Sequence, residues 1–128
     1  MKKRVLCILL LLCLLSVLTG CKQESRSATV YVYTGAVEGS EVQWDPDSVQ
    51  YTVKQDDALM DGKIRIRSVG EDFVKVKLDA AYTCPQTEKS GTTFKAEAGT
   101  ALILLPTDGG KTAIRIDFVE SVLEKNAQ

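Results

Sequence analysis

From Lys63 to Asp79 the chain reads KIRIRSV, GED, FVKVKLD. Apolar and charged residues alternate singly on either side of the Gly70-Glu71-Asp72 break. A strand points successive side chains to opposite faces, whereas a helix returns to one face every third or fourth residue. Both runs therefore fit strands with one buried and one solvated face. The same period of two recurs across residues 28–122. It marks Val30-Tyr31-Val32-Tyr33, Glu41-Val42-Gln43-Trp44, residues 48–54, the stretch TTFKAEAGTALILLP broken near Gly99, and TAIRIDFVESV from Thr112. Turn residues separate the runs: Asp45-Pro46-Asp47, Asp61-Gly62 and Thr107-Asp108-Gly109-Gly110. No helical periodicity of useful length competes with them. Seven to nine short strands predict an all-β fold, a two-sheet antiparallel sandwich, with a small β-barrel as the alternative.

The alternation also nominates the core. Ile64, Ile66, Val74, Val76, Leu78, Leu102, Leu104, Ile114, Ile116 and Phe118 should face inward. In the 63–79 hairpin the inward residues are all even-numbered, so even must pair with even. A three-residue loop, Gly70 to Asp72, gives that register. Arg65 then faces Lys77 and Arg67 faces Lys75, which sets four cations on one exposed face.

The chain begins differently. Met1-Lys2-Lys3-Arg4 is followed by residues 5–18, apolar except for Ser16. Fourteen residues are too few to span a bilayer, which takes about 20. A basic start, a short apolar run and a small-residue end are the anatomy of a secretory signal. Leu18-Thr19-Gly20-Cys21 then resembles the lipobox of bacterial lipoproteins: an aliphatic residue, two small residues and a cysteine. The resemblance implies a diacylglyceryl group on Cys21 and cleavage before it. It also implies an address on the extracytoplasmic face of the cell membrane, or the outer membrane in a two-membrane bacterium. Lys22 is not the aspartate that retains such proteins at the inner membrane. The resulting domain scheme is a signal peptide at 1–20, a lipidated N-terminus and tether at 21–27, a β-domain at 28–122 and a tail at 123–128. Within the β-domain, the phenylalanine strand, Gly break, aliphatic strand, Asp-Gly-Gly turn and final alternating strand resemble the end of an immunoglobulin-like domain. The Cys…Trp…Cys spacing of antibody domains is missing.

Cleavage before Cys21 leaves 108 of the 128 residues, with 13 basic and 17 acidic side chains and a charge of −4. That balance, without a basic tail, points away from nucleic acid. Cys7 and Cys13 leave with the leader and Cys21 takes the lipid, so Cys84 has no intramolecular partner. It reads as a small buried apolar side chain, with a reactive thiol as the alternative. Histidine is absent from the sequence, which removes the commonest general base and metal ligand. No nucleotide-binding or hydrolase motif occurs.

Three clusters remain as candidate sites. Arg65, Arg67, Lys75 and Lys77 could meet anionic lipid, an anionic envelope polymer or an acidic protein, unless Glu97 and Asp117 neutralise them. Tyr31, Tyr33 and Trp44 could form an aromatic binding surface, or Trp44 could fill the core. Residues 38–61 hold Glu38, Glu41, Asp45, Asp47, Asp56, Asp57 and Asp61 against Lys54 alone. Such acidic loops could take calcium, although the spacing is not that of an EF-hand loop. The expectation is a lipid-anchored, non-catalytic envelope protein, without cofactor or metal, that acts as a binding or accessory module for a protein or glycan. The alternative is a small envelope hydrolase using paired carboxylates.

Overall fold

The structure is a computed structural model and describes residues 25–107 and 109–124. The leader, Cys21 and residues 22–24 lie outside the described residues. Among the described residues there are nine strands: β1 (Ser25–Glu38), β2 (Glu41–Trp44), β3 (Val49–Val53), β4 (Ala58–Leu59), β5 (Ile64–Val69), β6 (Phe73–Cys84), β7 (Lys89–Glu97), β8 (Leu102–Pro106) and β9 (Thr112–Glu124). No helix occurs among the described residues. Strand pairing starts at Ser25 and ends at Glu124, so it is wider at both ends than 28–122. Ser25 to Ser27 are strand residues, not tether, and Ser27 is buried.

The strands make one antiparallel sheet, ordered β2-β1-β9-β8-β6-β5-β4 and curled into a half-barrel. β3 joins the first half of β1 through Ala28 to Val32, and β2 joins the second half through Gly35 to Glu38. β7 lies along β6. The sheet thus has two arms, one built on β1 and β9 and one on β5, β6 and β7. They meet where β6 and β8 share only Tyr82↔Pro106 and Thr83↔Leu105. β6 reaches that join by leaving β5 after Leu78, across an irregularity between Lys77 and Tyr82. Beside the join, β8 has a side-chain neighbour. The Gln86 amide donates to Ala101 O at 2.9 Å and accepts from Ile103 N at 3.3 Å.

All ten residues nominated by alternation are buried, and they form one cluster with Val30, Val32, Val53 and Phe94. The largest fully buried side chains are Ile, Val and one Leu. β-branched residues suit a pleated, half-buried surface, and full burial of each stabilises by about 1.5–3 kcal/mol. Both arms contribute, so the curl closes over a single interior.

The 63–79 hairpin keeps part of the expected register. Ile64↔Leu78, Arg65↔Lys77 and Ile66↔Val76 pair as alternation requires. Arg67 does not face Lys75. The register shifts there, and Ser68 takes the place opposite Lys75, followed by Val69↔Val74. The cause lies in the turn. Gly70 N donates to Phe73 O at 2.8 Å, which leaves Glu71-Asp72 as a two-residue turn rather than a three-residue loop. A two-residue turn pairs odd with even, while the core demands even with even. A bulge at Arg67 reconciles them.

Candidate functional site

The outer face of β5, β6 and β7 gathers basic side chains. Arg65, Arg67, Lys75 and Lys77 are all exposed. The pleat puts Arg65 beside Lys77 on one row. On the next row Lys75 stands between Ser68 and Lys95. Arg65, Arg67 and Lys77 line one shallow cleft together with Asp79. Lys75, Lys89 and Lys95 line a second with Ser68, Phe73 and Thr93. The four cations read from sequence thus share a face, and the structure adds Lys89 and Lys95. The outward position of Lys95 was legible between inward Phe94 and Ala96. Its place opposite Lys75 was not, because β7 pairs with β6 across a stretch where the register shifts.

Of the two carboxylates suspected of neutralising this face, Asp117 serves a cation outside it, on β9, and Glu97 meets only Lys95. Asp117 takes Arg115 in a bidentate pair, with both N···O distances at 2.9 Å. Glu97 lies 3.7 Å from Lys95, whose ammonium also sits 4.2 Å from the centre of the Phe73 ring. Among the described residues no ion pair reaches Arg65, Arg67, Lys75 or Lys77. Like charges directly opposite on a sheet repel by a few tenths of a kcal/mol. The Arg65–Lys77 and Lys75–Lys95 pairs therefore give the fold nothing electrostatically.

The aromatic cluster occupies the other arm. Val30 and Val32 point into the core, so Tyr31 and Tyr33 lie on the outer face of β1, half-buried. Trp44 joins them there, because it pairs with Gly35. A Cβ on Gly35 would fall 2.9 Å from the Trp44 ring and 2.6 Å from Val42, so the indole lies directly over the glycine backbone. Trp44 is half-buried and is not part of the core cluster. Tyr51, opposite Val30, turns inward and packs against the core instead. The Gly39-Ser40 turn was the signal for Trp44: a two-residue connection pairs Glu38 with Glu41 and carries the count to Gly35↔Trp44. The Tyr33 ring is taken by Arg115, 5.0 Å from its centre. The hydrogen bond to Asp117 holds the Arg115 charge more firmly than usual, raising its pKa against the opposing effect of partial burial.

The acids of residues 38–61 are spread along turns. Asp45 accepts from Asp47 N at 3.0 Å, and Asp57 accepts from Lys54 N at 2.8 Å. Among the described residues no group of three or more Asp, Glu or Cys is placed to hold a metal ion. Cys84 is buried, its thiol 3.6 Å from Gln86 Oε1. It lines a cleft of about 240 Å³ between β7 and β8 with Phe94, Leu102, Lys89 and Lys95. The clefts described here hold at most one carboxylate each. No family model matches the chain, and no curated protein or solved structure matches it.

Proposed function

We propose that this protein is a lipid-anchored, non-catalytic module of the bacterial envelope that binds an anionic partner through the outer face of β5–β6–β7. The observation that carries the reading is the set of four exposed cations, two of them in a like-charged cross-strand pair, that no ion pair reaches among the described residues. A structural face would gain from acids placed between them, as Asp117 is placed beside Arg115. The two clefts on this face are shallow and lie side by side along the strands, which suits an extended polymer or a protein surface more than a small substrate. The tyrosine face supports a binding role less well, since Arg115 covers Tyr33. The finer reading of the fold, two sheets packed as an immunoglobulin-like sandwich, belongs to this proposal. The narrow β6–β8 join and the interior shared by the two arms support it.

Two measurements test the function. Reversing Arg67 and Lys75 to Glu should leave the melting temperature nearly unchanged and reduce co-sedimentation with an anionic polymer such as polyglycerol phosphate. Added salt should weaken the native interaction, because the Debye length is about 8 Å at physiological ionic strength. Binding indifferent to both the reversal and salt would refute the proposed face. The anchor is tested separately: Cys21→Ser should abolish incorporation of labelled fatty acid and leave the precursor unprocessed. A mutant that still takes up label would show that Cys21 is not the acceptor.

A further inference from the structure

The described residues leave four large apolar side chains exposed, and three of them lie toward the end of β9, Val122 and Leu123 on opposite faces of the strand: Val119 at 46%, Val122 at 53% and Leu123 at 45%. Val122 and Leu123 pair with Ser27 and Arg26 at the start of β1. Val119 is the extra residue where the ladder shifts, since Thr29 faces Glu120 while Val30 faces Phe118. The shift exposes a third apolar side chain at the same end. This end is also where the chain arrives from Cys21, four residues before Ser25. A chain advances at most about 3.6 Å per residue, so Ser25 can lie no farther than about 14 Å from the lipidated cysteine. Glu38, at the other end of β1, stands about 40 Å farther along the strand.

We infer that the end of the sheet formed by Ser25 to Ser27 and Val119 to Leu123 is a second membrane contact, seated at the boundary between headgroups and acyl chains. The inference rests on the lipoprotein reading above. A diacylglyceryl group on Cys21 brings this end, and not the opposite one, against the bilayer, and there the apolar side chains leave water. The charges around them are mixed. Arg26 lies opposite Leu123, and Glu120 separates Val119 from Val122. Glu71 approaches through its carbonyl, which accepts from Ser121 Oγ at 2.7 Å, and Glu124 is paired with Lys54 at 2.7 Å. No positive field results, so the contact is to the apolar margin of the bilayer and needs no anionic lipid.

The test uses processed, lipidated protein in phosphatidylcholine vesicles with brominated acyl chains, which quench tryptophans that touch them. Trp44 faces Gly35, ten residues along β1 from Ser25, and serves as the far reporter. The native protein should keep its emission. Leu123→Trp in the native background should add emission that brominated lipid removes, and Val122→Trp gives an independent reading. Val119→Asp placed beside Leu123→Trp should restore the added emission while the protein still floats with the vesicles. Flotation without quenching of either added indole would overturn this inference and leave the anchor standing. Loss of flotation in the native protein would overturn both. Unquenched indoles together with concentration-dependent dimerisation of the lipid-free domain, abolished by Val119→Asp, would assign the patch to a second copy and overturn the membrane contact.

Discussion

The outer faces of β9 and β6 answer the same problem in opposite ways. On β9, Arg115 is followed two residues later by Asp117 on the same face, and the pair is bidentate. On β6, Lys75 is followed two residues later by Lys77, and their cross-strand neighbours are Lys95 and Arg65. Beneath both faces the inward residues are alike: Ile114 and Ile116 under one, Val74 and Val76 under the other, all fully buried. The interior therefore follows one rule across the sheet. On β9 the surface cation is paired, while among the described residues those on β5 and β6 are left without an ion pair and Lys95 on β7 meets Glu97. What distinguishes the arms is chemistry offered to water, not stability of the core.

That comparison can be broken at its base. Ile114→Ala and Ile66→Ala delete equivalent buried volume from the two arms, and each should destabilise by about 2–5 kcal/mol. Urea unfolding followed by Trp44 emission and by far-UV circular dichroism should give coincident transitions in both variants. Transitions that separate would mean that the arms do not share a core.

A smaller effect should distinguish two glycines. Gly35→Ala places a methyl against Val42, the Trp44 ring and Gln43 O, at 2.6, 2.9 and 3.1 Å. Something must shift, at about 1–3 kcal/mol, and Trp44 emission should move with it. Gly70 on the other arm has closer contacts, but all three are with the Phe73 ring, 2.1 Å away at the nearest. That ring is half-buried at a turn and can swing, so Gly70→Ala should cost less. Equal losses would show that Phe73 is held as firmly as Trp44.

The smallest expected effects have opposite signs. Asp117→Asn leaves Arg115 without its partner and should lower stability by up to about 1 kcal/mol, discounted because both side chains are partly exposed. Lys77→Glu replaces a repulsion with Arg65 by an attraction and should raise stability by a few tenths of a kcal/mol. Thermal melts at low salt should show both signs, and high salt should shrink both. Two losses would mean that the basic face carries hidden structural contacts.

The inward pattern was legible on the regular strands, because burial there depends on parity, but Val53, Tyr82 and Phe94 join the core although not among the nominated residues. Ile64 through Leu78 and Ile114 through Phe118 needed no knowledge of partners. Register was legible where parity alone sets it, as for Arg65 and Lys77. It failed at Arg67, where turn length and core parity disagree and a bulge settles the conflict. The half-barrel depends on how β6 leaves β5 for β8, a choice made in the stretch from Leu78 to Tyr82, where burial still alternates but the register with β7 shifts. As a large aromatic, Trp44 fits the core better than the surface on sequence alone, yet it lies on the outer face of the sheet. Its position follows from the Gly39-Ser40 turn counted back to Gly35, a local signal outweighed by the general preference of large aromatics for burial.

Gln86 gives the fold a further property. A curled sheet that stops short of closing offers peptide groups to any passing strand, and such edges are where chains begin to template one another. At β8 one side-chain amide stands where a neighbouring backbone would, giving Ala101 its donor and Ile103 its acceptor. An incoming strand must first evict that amide, and it gains little by repeating bonds already made. The part of β8 that does not reach β6 therefore has fewer open peptide groups to offer.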